Sequence, residues 1–456
     1  SYTGQTRNPY ALDRVPGGSS GGTGAAIGAS FAAAGMGSDT CGSIRIPAAN
    51  QNLVGLRGTQ GLSSRTGVMP LSSTQDIAGP LARTVTDLAI MLDATVGSDA
   101  ADPITRESTG RIPKSYRDGL TPDGLKGARI GMLKALWGTA PEDAEVSGII
   151  RKALDGFKAQ GAEVVDISVP GLDELLNDSS VIADEFKFDL MAYLAKQPNA
   201  PVKSLGEILD RGLYHAELEA TFRLRNQGDK KETEHYRQAM VKRRALRAAV
   251  MATLEEQRID ALAYPVLRRK PVVIGDAQTG QTCQLSATTG LPAMSMPAGF
   301  STDGVPVGIE LLAGEWQEAK LLKYAFSWEQ ASKLRKAPFS TPPLVNGKAP
   351  ASSTATITIG AATVKLAYDQ TTGALTYDAS TKLAISDRVL ALTLQRSEAG
   401  KPGAIVAHLL QPNQITGTGT LIMRGRNRED LVGGRLYLQL YTKANPLGVE
   451  RQPLRF

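Results

Sequence analysis

Between residues 84 and 96 the apolar positions Val85, Leu88, Ala89, Leu92 and Val96 recur at helical spacing, behind Thr84 or Thr86, either of which can cap the first turn. Residues 129–136 then read as a strand, 144–160 as an amphipathic helix and 163–169 as a second strand. Strand, helix, strand in that order predicts parallel pairing. Residues 260–266 read as a buried strand and 318–333 as a helix closing this part of the chain. Between about 172 and 258 the sequence carries more charge, with long amphipathic stretches at 204–226 and 231–257; this predicts a solvated helical layer on the sheet. Upstream, a polar, turn-rich lead-in over 1–16 precedes small apolar residues at 23–34 that suit a tightly packed helix.

The pattern changes after about residue 334. A proline-rich stretch with a Ser/Thr cluster reads as a linker over 336–353. Beyond it, short alternating runs at 355–359, 364–368, 389–394 and 436–441, punctuated by Gly, Asp and Asn, predict an antiparallel β-sandwich over 354–456. The expected organisation is therefore a first domain over 1–335, the linker, and a second domain.

Composition narrows the class. At 456 residues the chain is too long for one ordinary core, and 42% apolar with 21% charged residues is the balance of a globular protein. The net charge of +6 is spread over short clusters such as Lys242, Arg243 and Arg244, without the basic stripe of a nucleic-acid binder, so no nucleic-acid partner is expected. The two cysteines, Cys41 and Cys283, cannot make a disulfide framework, and neither has metal-ligand spacing to the three histidines. No apolar run approaches a membrane span.

The chemistry concentrates in residues 17–47, GGSSGGTGAAIGASFAAAGMGSDTCGSIRIP, which hold two glycine-flanked serines, Ser19 and Ser43. Glycines let backbone approach a ligand closely and can leave successive N–H groups aimed at one point, as an oxyanion hole requires. A phosphate loop would need a lysine after Gly22, and none is there. Gly18–Gly22 fits a G-x-S-x-G elbow with Ser20 as nucleophile, yet 8–16 is no apolar strand. His215, His235 and His408 lie on charged helical stretches or in the C-terminal domain, and no serine precedes a lysine by three positions. Cys41 lacks a nearby histidine to lower its pKa as a nucleophile. Asp39 and Arg45 flank the second serine and could pair to brace its loop or orient a substrate; bracing is the favoured reading.

The segments GGSSGG at 17–22 and SDTCGSIRIPA at 38–48 resemble the amidase signature family of serine amidohydrolases. The likeness continues through Gly61, Leu62, Gly67, Val68, Met69, Pro70, Asp76, Gly79, Pro80, Arg83 and Thr84, and resumes at 290–293, 297–300 and 304–308. It implies an α/β fold, a mixed twisted sheet covered by helices, over residues 1 to about 335. It also implies that Ser43 is the nucleophile and that Ser19, preceded by a cis peptide bond, relays its proton. The backbone N–H groups of Thr40, Cys41, Gly42 and Ser43 would form the oxyanion hole, with Gly18, Ser20, Asp39 and Arg45 supporting the loops. Two departures stand out: Cys41 occupies a position where the family usually has Gly, and no lysine precedes Lys114, although the family's base is a lysine upstream of the first serine. The expectation is a domain lacking its N-terminal part, with the lysine lost, carried on a separate piece, or absent from an inactive protein.

The tail weakly resembles the CHRD domain at 405–409 and 434–437, then Thr442, Asn445, Pro446, Gly448 and 450–452, with Tyr441 where that family often has His. This favours a periplasmic or secreted location over a cytoplasmic one. The implied activity is hydrolysis of a small-molecule or peptide carboxylic amide through an acyl-enzyme on Ser43, with no metal and no cofactor. The alternatives are an amidotransferase subunit that needs partners, and a non-catalytic binding or scaffold fragment.

Overall fold

The computed structural model describes residues 4–384, 386–398 and 401–456; residues 1–3, at the head of the predicted lead-in, lie outside that range. The chain divides into two compact units, one of residues 4–8, 13–301 and 306–336, the other of Pro9–Leu12, Thr302–Val305 and Ala337–Phe456.

The first unit is built on a mixed sheet of eight strands: β1 (Ala34–Asp39), β2 (Val54–Arg57), β3 (Ile77–Ala82), β4 (Arg129–Leu133), β5 (Glu163–Ile167), β6 (Ala261–Pro265), β7 (Ala293–Phe300) and β8 (Pro306–Leu312). Their order across the sheet is β1-β3-β2-β7-β8-β6-β4-β5. β4 pairs in parallel with β5, with Arg129 opposite Glu163, and in parallel with β6; the remaining pairs are antiparallel. β2, β3, β6 and β8 are buried along their whole length, so their apolar runs face covered layers on both sides of the sheet.

The helices supply those layers. They are α1 (Gly21–Gly28), α2 (Arg45–Asn50), α3 (Val85–Thr95), α4 (Ala144–Ala159), α5 (Leu172–Leu176), α6 (Ile182–Ala195), α7 (Leu205–Asp210), α8 (Glu219–Asn226), α9 (Glu234–Glu256), α10 (Gln284–Thr289) and α11 (Glu318–Ser332). α4 buries Val146, Ile150, Ala153, Leu154 and Phe157 at helical spacing, and Phe157 meets Trp328 of α11 edge-on at 5.2 Å between ring centroids. The helix expected over 23–34 is shorter, because Ser30 takes a positive φ of 64° and turns the chain towards β1. The stretch at 204–226 is broken between α7 and α8, where Gly212 lies at φ 63°. The strand expected over 129–136 ends at Leu133 in a short 3-10 turn.

The second unit is an antiparallel sandwich. Its strands are β9 (Ser353–Ile359), β10 (Ala362–Asp369), β11 (Ala374–Thr381), β12 (Val389–Glu398), β13 (Lys401–Leu410), β14 (Thr416–Ile422), β15 (Leu436–Thr442) and β16 (Gln452–Pro453). They form two sheets, β14-β11-β10-β9 and β13-β12-β15-β16. Alternate residues such as Val364, Leu366, Leu375, Leu392, Leu394, Leu438 and Leu440 from both sheets share one core. A helix, α12 (Gly425–Val432), precedes β15, and its buried Asp430 receives Arg396 of β12 and Arg435.

Candidate active site

Two loops meet at the head of the first unit. The Ser20 N–H donates to the carbonyl of Ser43 at 3.1 Å, and the Ser20 hydroxyl lies 3.3 Å from both the N–H and the carbonyl of Ser38, so the first serine loop is docked on the second. The peptide bond between Gly18 and Ser19 is cis. Gly17, at φ 80°, sits where a Cβ would stand 2.9 Å from the Asn50 side chain, which explains the glycine there. Gly18 itself faces open space. Ser19 is exposed and Ser43 half-buried just before α2, and neither hydroxyl has a hydrogen-bond partner among the described residues.

The loop between β1 and α2 is braced by charge. Asp39 is fully buried; it accepts from the Gly42 N–H at 2.7 Å, the Ile44 N–H at 3.2 Å, and Arg45 through Nε at 3.0 Å and Nη2 at 3.1 Å. Arg57 Nη1 reaches the same carboxylate at 3.2 Å and also the Asp39 carbonyl. Burial pushes the Asp39 carboxyl up, but Arg45, Arg57 and the N–H donors outweigh it and hold the group well below the usual carboxylate range. Arg45 also donates to Glu310 of β8 at 2.5 Å, and Glu310 accepts from Tyr264 at 2.7 Å. Burial keeps Glu310 above its ordinary range despite Arg45, and draws Arg57 down to about 10.

Asp39 and Arg45 are thus bonded to each other, and Asp39 to the N–H groups of Gly42 and Ile44. Gly42 needs a correction: its N–H is engaged by Asp39, which removes it from the four donors expected for an oxyanion. The N–H groups of Thr40, Cys41 and Ser43 have no protein acceptor among the described residues. Successive unpaired N–H groups beside a half-exposed hydroxyl are what stabilisation of a tetrahedral oxyanion requires.

A second support comes from residues the sequence reading did not single out for the site. The Thr40 hydroxyl donates to Asp76 at 2.5 Å, and the Thr40 carbonyl accepts from Gln75 Nε2 at 3.2 Å. Asp76 in turn accepts from the N–H groups of Leu71 and Ser72. Glu185 of α6 holds this segment from the other side, accepting from the Ser72 hydroxyl, the Thr74 N–H at 3.0 Å and the Thr74 hydroxyl at 2.5 Å. A cavity of about 350 Å³ opens next to Asp76, lined among others by Arg65, Val68, Pro70, Asp189 and Tyr193. Asp76 stands in the family-like run, so likeness could have flagged it; Glu185 is announced by no local signal.

The two cysteines, set aside in the sequence for want of a framework or a ligand spacing, are joined in a disulfide whose Cα atoms lie 5.1 Å apart across a separation of 242 positions. Pairing at that distance along the chain depends on the fold and leaves no local trace. His215 and His235 are exposed on the helical layer and His408 is exposed in the sandwich. Lys231 is held protonated by Glu185 and Asp189, each 3.0 Å from its ammonium.

Residues 1–322 match the family model described as Amidase. The chain belongs to the amidase family. A probable amidase of Arabidopsis thaliana is 31% identical over 353 residues, which is 73% of this chain but only 64% of that protein's length. A glutamyl-tRNA(Gln) amidotransferase subunit of Caldanaerobacter subterraneus is 32% identical over 73% of this chain and 70% of its own. Among solved structures, the native peptide amidase of Stenotrophomonas maltophilia aligns with a TM-score of 0.67 at 33% identity, covering 74% of this chain and 69% of that one. A structure of peptide amidase with the competitive inhibitor chymostatin gives 0.66 at 33% identity, with 74% and 70% coverage. The amidase fold thus accounts for the mixed sheet and its helices, and among the described residues no helix is long and apolar enough to cross a membrane.

Proposed function

We propose that this chain acts as an amidohydrolase that cleaves a small-molecule or peptide carboxylic amide. The observation that carries the reading is the set of N–H groups at Thr40, Cys41 and Ser43 with no protein acceptor among the described residues, in a loop whose Ser43 carbonyl accepts from the Ser20 N–H of the first serine loop. Ser43 Oγ attacks the amide carbonyl, and its proton passes through Ser19 to a base and on to the departing amine. The oxyanion rests on the three N–H groups, and water then releases the acid from the Ser43 ester. The cavity beside Asp76 is the side on which the substrate is held; its size falls in the ordinary range for a small ligand.

The resemblance implies a lysine as the base; Lys231, held protonated between the carboxylates of Glu185 and Asp189, is unsuited to accept a proton. We read the sandwich as a CHRD-like module and the protein as periplasmic or secreted; the pairing of both cysteines supports an oxidising compartment. Likeness to the amidotransferase protein favours a second reading, in which ammonia released from an amide passes to an acceptor held by partner subunits.

The test is ammonia release from peptide C-terminal amides, simple aliphatic and aromatic amides, and glutamine, with and without co-purifying polypeptides. Ser43→Ala should lower turnover by at least ~10³-fold and Ser19→Ala by a comparable factor, since members of such a unit fail together. Turnover that survives Ser43→Ala would overturn the hydrolase reading, and turnover of glutamine alone, only with partners present, would favour the amidotransferase.

A further inference from the structure

We propose that the Cys41–Cys283 disulfide is a positioning element for the oxyanion loop, and that the site is competent only while this bond is oxidised. The proposal rests on the reading of Ser43 as nucleophile and adds to it a covalent clamp and a redox condition. Cys41 lies between two residues with their own restraints, Thr40 on Gln75 and Asp76, and Gly42 on Asp39. Its own peptide N–H, one of the three free donors, is restrained by no hydrogen bond. The side chain supplies the restraint: Cys41 Sγ is bonded to Cys283, at the N-terminal boundary of α10.

The far end of the clamp is anchored in the same buried network. Cys283 is itself buried, and its carbonyl accepts from Arg45 Nη2 at 3.3 Å, while Arg45 grips Asp39 at the start of the loop. Asp39, Arg45, Cys283 and Cys41 therefore close a ring of two hydrogen-bonded links, the disulfide and the main chain from 39 to 41. Gly42 makes room for it: a Cβ there would stand 2.8 Å from Cys283 Cβ and 2.7 Å from Ile46 Cδ1, and its φ of 85° suits glycine. Cys41 is only half-buried, so a reductant can reach the bond. Dithiothreitol would convert it to two thiols and be oxidised to its own cyclic disulfide, releasing a loop residue whose peptide N–H has no acceptor among the described residues and whose sulfur otherwise only meets Gln284 Oε1 at 3.4 Å.

The experiment compares the full chain before and after dithiothreitol. Thiol blocking and non-reducing peptide mapping establish the bond. Amide hydrogen exchange over residues 40–43 reads the loop, and labelling of Ser43 by a fluorophosphonate reads the site. Reduction should speed local exchange at 40–43 while other core segments hold their protection, and slow labelling by roughly 10–100-fold, the scale on which small misplacements of catalytic groups act. Reoxidation should restore both, and the Cys41→Ala/Cys283→Ala double variant should label at the slow rate with or without dithiothreitol. Free thiols in the native protein, or unchanged exchange and labelling after reduction, would overturn the proposal, as would loss of protection throughout the first unit, which marks a merely global staple. Local exchange that responds to reduction in a protein whose Ser43 is never labelled would sink the nucleophile reading while supporting the clamp.

Discussion

Asp39 is the residue on which the loop depends, because one buried carboxylate neutralises parts of two buried guanidiniums and caps two N–H groups at once. Asp39→Asn keeps the shape and removes the charge, leaving Arg45 and Arg57 facing each other with less compensation. A loss of about 3–5 kcal/mol is expected, the range for breaking a buried pair, read as a lower urea midpoint at unchanged slope. A loss below about 1 kcal/mol would mean that the ring of donors holds without it. The pH dependence has a definite sign. A carboxyl depressed in the fold contributes stability above its unfolded value, near 4, and loses it as pH falls towards the folded one; the wild type should weaken below about pH 4, and the variant should show a flatter acid limb. Glu310 works the other way, since its raised value favours the fold in acid and the contribution fades as pH rises. At this scale the sequence showed the two serines with Asp39 and Arg45, all within the one glycine-rich stretch of residues 17–47. It concealed Arg57, Glu185, Glu310 and the disulfide, each brought in by a different strand or helix.

Among the elements, α6 links the helical layer to the loop. Glu185 collects donors from Ser72 and Thr74, and the segment they belong to carries Gln75 and Asp76, which hold both the carbonyl and the hydroxyl of Thr40. Glu185→Ala leaves the Ser72 and Thr74 donors short of an acceptor and Lys231 with Asp189 alone, so a loss of about 1–3 kcal/mol is expected, with slower labelling of Ser43. Glu219→Gln on α8 breaks only an exposed, solvent-screened pair with Arg223 and should leave the urea midpoint unchanged. Equal effects from the two variants would show that α6 braces nothing. The long helices and the β4, α4, β5 unit were legible because their apolar spacing is strong and local. The ends of α1 and α7 were not, since Ser30 and Gly212 decide them through single positive-φ positions inside otherwise helical composition.

Across the whole molecule two separate cores carry the fold, one around the mixed sheet and one between the sandwich sheets. The alternation at 355–359, 364–368, 389–394 and 436–441 announced the second; β11 and β14 stood out less because polar residues, threonines and glycines dilute their pattern, and β13 because its run over 404–410 is mostly apolar rather than alternating. The chain's three tryptophans, Trp137, Trp316 and Trp328, all belong to the first unit, so tryptophan fluorescence follows that unit's unfolding while far-ultraviolet circular dichroism follows both. Leu311 of β8 and Leu394 of β12 are each fully buried in their respective cores. Truncating either to alanine should cost about 2–5 kcal/mol through lost apolar contact and the cavity left behind. Leu311→Ala is expected to shift the fluorescence transition by that amount. Leu394→Ala should leave it within about 0.5 kcal/mol of wild type, and leave the rate of Ser43 labelling intact, while part of the dichroism transition moves to lower denaturant. A fluorescence shift as large for Leu394→Ala as for Leu311→Ala would mean that the two cores unfold as one cooperative body, and that the sandwich stabilises the domain bearing the serines.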